Sequence, residues 1–334
     1  MRPLAGRQVS FTARSMIRSS TTSSRRIAPL TRRPSVPLGW AADTGVNTIE
    51  ELRAEARFAV DAGFDALWVS QIFGVDPVVA LAAVAAEVEP LAEVGTSVVP
   101  IYGRHPLALA AMARTAQSAL GGRFTLGIGP SHAMVVEGFL GESYDRPFTH
   151  TAEFVEALDP LLRGEPCDVE GDEITAKGWL TVDSEPVPIL LAALGPRMLD
   201  LAGRRCAGTS LGPGMSPAVV AEYLAPRIRT AAAEAGRPEP RIKALVVVAL
   251  TDDPEALIAQ QRESSVLYAS PPAYRRVLDL GGLESPADVV IAGSMDVVVA
   301  GMAEYVAAGA TELRVGIVPS VAEQTKAALA DWLL

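Results

Sequence analysis

The sequence predicts an α/β fold, a (β/α)8 TIM barrel with insertions, and three observations carry that expectation. Eight apolar runs of strand length alternate with helical patterns over ~300 residues, the arrangement of one closed parallel barrel. The composition is 49% hydrophobic but only 5% aromatic, and Ala, Val and Leu dominate, which suits parallel strands buried on both faces beneath Ala-rich helices. The rival, a doubly wound sheet, wants a Gly-x-Gly-x-x-Gly turn directly after its first strand. Gly39-Trp-Ala-Ala-Asp-Thr-Gly45 supplies none.

In chain order, a first strand is expected at 36–40. Asn47 or Thr48 can cap the next helix, Glu50 and Glu51 suit the positive end of its dipole, and Leu52, Ala56, Ala59 and Val60 form its apolar face. Gly63 stands where helices commonly end. A second strand at 66–70 leads through Gln71-Ile-Phe-Gly74 to a helix opened by Asp76 and Pro77 and reaching Glu87. The third strand is expected at 93–100, followed by a helix from Pro106 to Leu120. The fourth starts at Phe124 and becomes a loop at Gly129-Pro130, residues a central strand does not sustain. A helix is expected over 149–162, and residues 164–186, with Gly171, Gly178 and Pro186, read as an excursion or hairpin. Strand five is placed at 187–193, with a helix from Gly195-Pro196 to Gly203; strand six at 207–211, with a helix over 217–235; and strand seven at 242–250, with helical material over 254–280. A helix at 294–308, strand eight at 312–318 and a closing helix to Leu333 complete the chain.

Charge is distributed unevenly. Residues 1–42 hold eight arginines and no acidic residue, leaving 21 of the 29 basic residues against all 39 acidic ones, a net of −18 for the rest. So acidic a body argues against nucleic acid as a partner. The Arg- and Ser-rich start has the composition of a transit peptide but no apolar core of a secretory signal. The expectation is a disordered basic extension over 1–34, or a start placed too far upstream, with targeting as the other reading; the barrel takes 35–334. The longest apolar run, 77–86, is too short to span a bilayer. Cys167 and Cys206 show no metal spacing and no disulfide framework, so a cytoplasmic protein without a metal is expected.

Chemistry concentrates at strand ends, which a barrel gathers on one face. These are Ser70-Gln71, Gly95-Thr-Ser97-Val98, Gly129-Pro130-Ser131-His132 and Leu194-Gly195-Pro196. Gly129 would let backbone approach a flat ring closely. Of three histidines, His132 stands at the mouth as candidate proton donor or substrate contact. His105 reads as a helix cap and His150 as structural. Free backbone N–H groups at Leu194-Gly-Pro-Arg197 could dock an anion, with help from Arg197, or form an ordinary turn.

Several stretches together resemble the luciferase-like monooxygenase superfamily, and within it the coenzyme F420-dependent oxidoreductases of actinobacteria. They are Ala62-Gly-Phe-Asp-Ala-Leu-Trp68, Gly95-Thr-Ser-Val98, Arg104-His-Pro106, Gly121-Gly-Arg-Phe-Thr-Leu-Gly-Ile-Gly-Pro-Ser-His132, Gly141-x-x-Tyr-Asp-Arg-Pro147 and Ala193-Leu-Gly-Pro-Arg-Met-Leu-x-Leu-Ala-Gly203. The resemblance spans about 36–320 and implies a luciferase-like TIM barrel with an insertion near the fourth strand, a homodimer, and a cofactor ring across the strand ends. It implies a bulge with a non-proline cis peptide at Ser97-Val98, Gly129, Pro130 and Ser131 beside the ring, and Leu194, Gly195 and Pro196 near the cofactor's side chain and phosphate. Sugar-phosphate dehydrogenases of the family carry an Asp-His pair after strand two and a Glu at the end of strand four. Here Gln71, Ile72 and His132 stand instead, which points away from sugar oxidation. The expected activity is hydride transfer between deazaflavin C5 and a small organic substrate, by reduction of an activated C=C or C=N bond, with His132 and Gln71 as catalytic candidates. The alternatives are an FMN-dependent monooxygenase and a barrel that binds cofactor without turnover.

Overall fold

The computed structural model describes residues 33–42, 45–71, 73–265 and 271–334. The expected extension over 1–34, except its last two residues, and Ile72 lie outside the described residues. Eight parallel strands form the barrel: β1 (Leu38–Ala41), β2 (Ala66–Val69), β3 (Glu93–Thr96), β5 (Phe124–Gly129), β8 (Ile189–Leu191), β9 (Gly208–Ser210), β10 (Arg241–Leu250) and β12 (Glu312–Ile317). They pair in that order, and β12 returns to β1, which closes the cylinder. Register runs Gly39 to Ala66 on one side of β1 and Leu38 to Leu313 on the other. Between β5 and β8 the excursion is an antiparallel hairpin of β6 (Cys167–Glu170) and β7 (Thr175–Gly178). His105 Nε2 lies 3.0 Å from the Thr175 carbonyl and ties the hairpin to the barrel.

Local signals explain the helices. Thr48 caps Ile49–Asp61 in a capping box with Glu51. Asp76 caps Pro77–Ala83 through the Val78 and Val79 amides. His105 caps Pro106–Ala119 with its own ring nitrogen on the Leu107 amide.

The structure departs from the sequence expectations in four places. The helix expected to reach Glu87 stops at Ala83, because Val84–Leu91 tightens into turns with amides bonding three residues back. The third strand is broken at Ser97-Val98 into β3 and a short β4 (Val99–Pro100) that pairs with β5. Among the described residues, the helical material expected over 254–280 includes the separate helices Pro254–Ser264 and Pro272–Leu280. An unforeseen β11 (Ile291–Gly293) lies along β10; at three residues it is too short for a periodic signal.

Side chains alternate between two environments. Outward residues such as Leu67, Phe124, Leu126, Ile128, Val246 and Leu313 are buried beneath the helices. Trp68 fills the bore with Ala66 and Leu190. Gly39 and Gly95 make room for it, since a Cβ at either position would fall on the indole. Lys243, fully buried, sets its Nζ 2.8 Å from the Trp68 ring centroid and has no hydrogen-bond partner among the described residues. Burial pushes its pKa well below the usual lysine value.

Arg241 lies at the lower end of the bore. It reaches across from β10 to Glu93 on β3, with contacts of 2.8 and 2.7 Å, and holds Glu312 on β12 at 2.7 and 2.8 Å. β3 and β10 are not neighbours in the sheet, so this double fork spans the barrel. Among the described residues no helix is long and apolar enough to cross a membrane, and no group of His, Cys, Asp and Glu could hold a metal ion.

Candidate active site at the carboxyl ends of the strands

The bond between Ser97 and Val98 is cis, as the resemblance implies. Strands β9 and β12 and the loop after β2 hold this segment. The Ser97 carbonyl accepts hydrogen bonds from Ser70 Oγ of the loop after β2, at 2.6 Å, and from Arg314 Nη1 of β12. Ser97 Oγ meets Ser210 Oγ of β9 at 2.8 Å. The Val98 carbonyl accepts the Gln71 amide at 3.2 Å. Hydrogen bonds from this many directions preorganise a floor whose upper member, Val98, is half-buried and so reachable from the mouth.

A Cβ at Gly129 would lie 3.0 Å from Val98 Cγ2 and 3.1 Å from Ala192 Cβ, so side chains from the flanking strand ends crowd this position within the protein. Beyond it, Pro130 and Ser131 are half-buried. Ser131 takes a left-handed φ of 62°, and the Tyr144 hydroxyl donates to its carbonyl at 3.0 Å.

His132 follows, half-buried, its ring 5.8 Å from that of Tyr274. It does not cap the turn Ala133–Val135 with its side chain. Burial lowers its pKa below the usual 6.5, which favours the neutral imidazole at neutral pH. Gln71 is less free than expected, because its Oε1 accepts from Arg104 at 2.6 Å and the same guanidinium pairs with Asp76 at 2.6 Å. His150 is structural: it is buried and stacked on Tyr102 at 4.0 Å.

On the other side of the mouth, Leu194 has its carbonyl fixed by the Tyr223 hydroxyl at 3.2 Å. Gly195 caps the helix Pro196–Arg205 without a side chain, and nothing lies within 4 Å of where its Cβ would be. The first amides of a helix have no partner within it. Here they face a cradle without a Cβ, so the donor set suits a phosphate or other anion. Arg197 is exposed and sits over the Phe148 ring at 3.7 Å.

Sequence reasoning missed Arg314, Tyr223, Tyr144 and Tyr274. For Arg314 a signal existed: Glu312 and Arg314 alternate with apolar residues in a buried strand, which places both charges in the bore.

Residues 33–312 match the family profile described as Luciferase-like monooxygenase. The chain is 30% identical over 247 residues to the putative coenzyme F420-dependent oxidoreductase Rv3520c of Mycobacterium tuberculosis, covering 69% of this chain and 70% of that one. It is 28% identical over 244 residues to the 5,10-methylenetetrahydromethanopterin reductase of Methanolobus tindarius, covering 72% and 73%. The coenzyme F420-dependent tetrahydromethanopterin reductase of Methanopyrus kandleri superposes with a TM-score of 0.73 at 22% identity, over 89% of this chain and 97% of that one.

Proposed function

The chain belongs to the luciferase-like monooxygenase family and is an enzyme, and from that premise we propose that it is an F420-dependent oxidoreductase reducing an activated C=C or C=N bond of a small organic molecule. The observation that carries this reading is the bare helix start at Gly195, after β8, on the same barrel end as the Ser97-Val98 floor, with only β5 between their strands. A flat ring with an anionic side chain needs both features. The F420-dependent name of the Mycobacterium tuberculosis relative, matched over seven-tenths of its length, supports the deazaflavin over FMN.

In this reading Ser97 and Val98 back the ring, Gly129, Pro130 and Ser131 pass beside it, and Leu194, Gly195 and Pro196 hold the side chain and its phosphate. A reduced deazaflavin bound there supplies a hydride from C5. The protein positions the substrate and excludes water. His132 stands at the mouth to hydrogen-bond the acceptor and, when protonated, to deliver the matching proton. Gln71, steadied by Arg104, offers its amide NH2 as a further polar contact.

The test is a fluorescence titration of the purified protein with oxidised F420 and, separately, with FMN. Tight binding of the deazaflavin alone is expected. A preference for FMN would move the protein to the oxygen-using branch of the family.

A further inference from the structure

Apolar side chains stand unburied at the rim of the site. Phe73, on the loop after β2, meets Phe139, in the turn Val136–Leu140 after β5, with ring centroids 5.6 Å apart and edges to faces. Yet the two are 71% and 67% exposed, and Met134, on the same loop as Phe139, is 61% exposed. The loops that carry these side chains are joined below. Leu140 packs against Gly103 of the loop after β4, and Arg104 of that loop binds both Gln71 and Asp76. The rings thus stand on the same two loops as the site candidates, Phe73 two residues after Gln71 and Phe139 seven after His132. A contiguous apolar patch with a polar border marks a binding surface.

The border selects against charge. Glu137 and Glu142 are exposed on the same loop as Phe139. The two cations on these loops are engaged, Arg104 with Asp76 and Arg146 with Asp172 and Glu173. A phosphorylated or carboxylated substrate entering here would meet acidic groups, and the described arginines of these loops are already paired. A sugar would leave the rings uncovered.

We infer that the Phe73–Phe139 rim is the specificity element of the site, and that the substrate is a neutral molecule with an alkyl or aromatic body attached to its reducible bond. This rests on the reading of the site as a place of hydride transfer. For an α,β-unsaturated ketone, the hydride from reduced deazaflavin forms the new C–H bond at the β carbon. The C=C pair moves toward the carbonyl and takes a proton at the α carbon from His132 or water, and the deazaflavin is left oxidised.

The test uses saturated methyl ketones from 2-pentanone to 2-nonanone, which bind without reacting. Calorimetry follows their binding to the full chain, both with and without oxidised F420. Affinity is expected to rise about threefold to fourfold with each added methylene. The Phe73→Ser/Phe139→Ser variant, altered only at exposed rings, should bind F420 as the wild type does and lose that dependence on chain length. Glucose 6-phosphate should not bind. Equal affinity for all the ketones, or the same dependence in the variant, would overturn the inference. So would a dimer that the variant converts to monomer, since the rings would then belong to an interface between copies. Absence of F420 binding by the wild type would instead overturn the hydride-transfer reading, while the ketone series without F420 still decides the rim.

Discussion

The two ends of the barrel are built from different materials. At the lower end Arg241 is held by two carboxylates from β3 and β12, and its charge is spent on the protein itself. At the upper end the groups are backbone carbonyls and amides, short hydroxyls and a bare helix start, bordered by exposed rings. Trp68 and Lys243 lie between. The difference shows where each end places its free energy: below, in closing the cylinder; above, in holding a surface ready for something else. Barrels commonly separate stability and activity along this axis.

The largest effect that tests the contrast is expected from Arg241→Leu. It leaves Glu93 and Glu312 facing each other in the bore, and removing one partner of such a cluster costs about 3–5 kcal/mol. Urea unfolding should show that loss, while the F420 affinity of the folded protein stays unchanged. A change in affinity without loss of stability would break the comparison.

His132→Ala is expected to do the reverse. Turnover should fall about 10²-fold, with the midpoint of thermal unfolding and cofactor affinity preserved. Because burial holds the His132 pKa below 6.5, its protonated form is lost as pH rises through that lowered value. The wild-type rate should therefore decline with rising pH in a limb centred below 6.5, and the variant should lack that limb.

Arg314→Met tests the link between the ends, since this side chain rises from β12 to the Ser97 carbonyl. Loss of a charge-assisted hydrogen bond of this kind should weaken F420 binding about tenfold, with Arg314→Lys restoring part of it. Titration of both variants separates this from a purely structural role, which would move only the unfolding midpoint.

The smallest effect is expected at Lys243. Its folded pKa lies well below the usual 10.5 because burial penalises the charged form, so the residue costs stability below that usual value, and the cost fades as pH rises toward it. Lys243→Met should stabilise the protein by about 1 kcal/mol at pH 7. The gain should shrink as pH approaches 10.5. Denaturant midpoints at two pH values check the sign.

The strand order was readable because a parallel strand buried on both faces is an apolar run, and alternation with capped helices leaves few topologies. The caps Thr48, Asp76 and His105 were readable for the same local reasons that make them caps. The interior charges were not. Arg241, Lys243, Glu312 and Arg314 sit on the bore-facing period of strands recognised by their outward apolar residues, and only the closure of the barrel shows that the charges meet. The cis bond at Ser97-Val98 was available through resemblance alone, since nothing in the residue types demands it. Gly129 was singled out for a close approach of backbone to a ring; the neighbours that the structure shows at its Cβ position are Val98 and Ala192, which sequence spacing does not reveal. Phe73 and Phe139 belong to aperiodic loops and meet only through tertiary structure.

The Trp68 plug has a kinetic consequence. With the indole filling the bore and Gly39 and Gly95 moulded around it, no path runs through the barrel from below. On the proposed reading, a ring seated on the Ser97-Val98 floor and its substrate then share the side of approach above the plug. Order of arrival becomes the quantity to measure, and the indole is the side chain whose removal would change it.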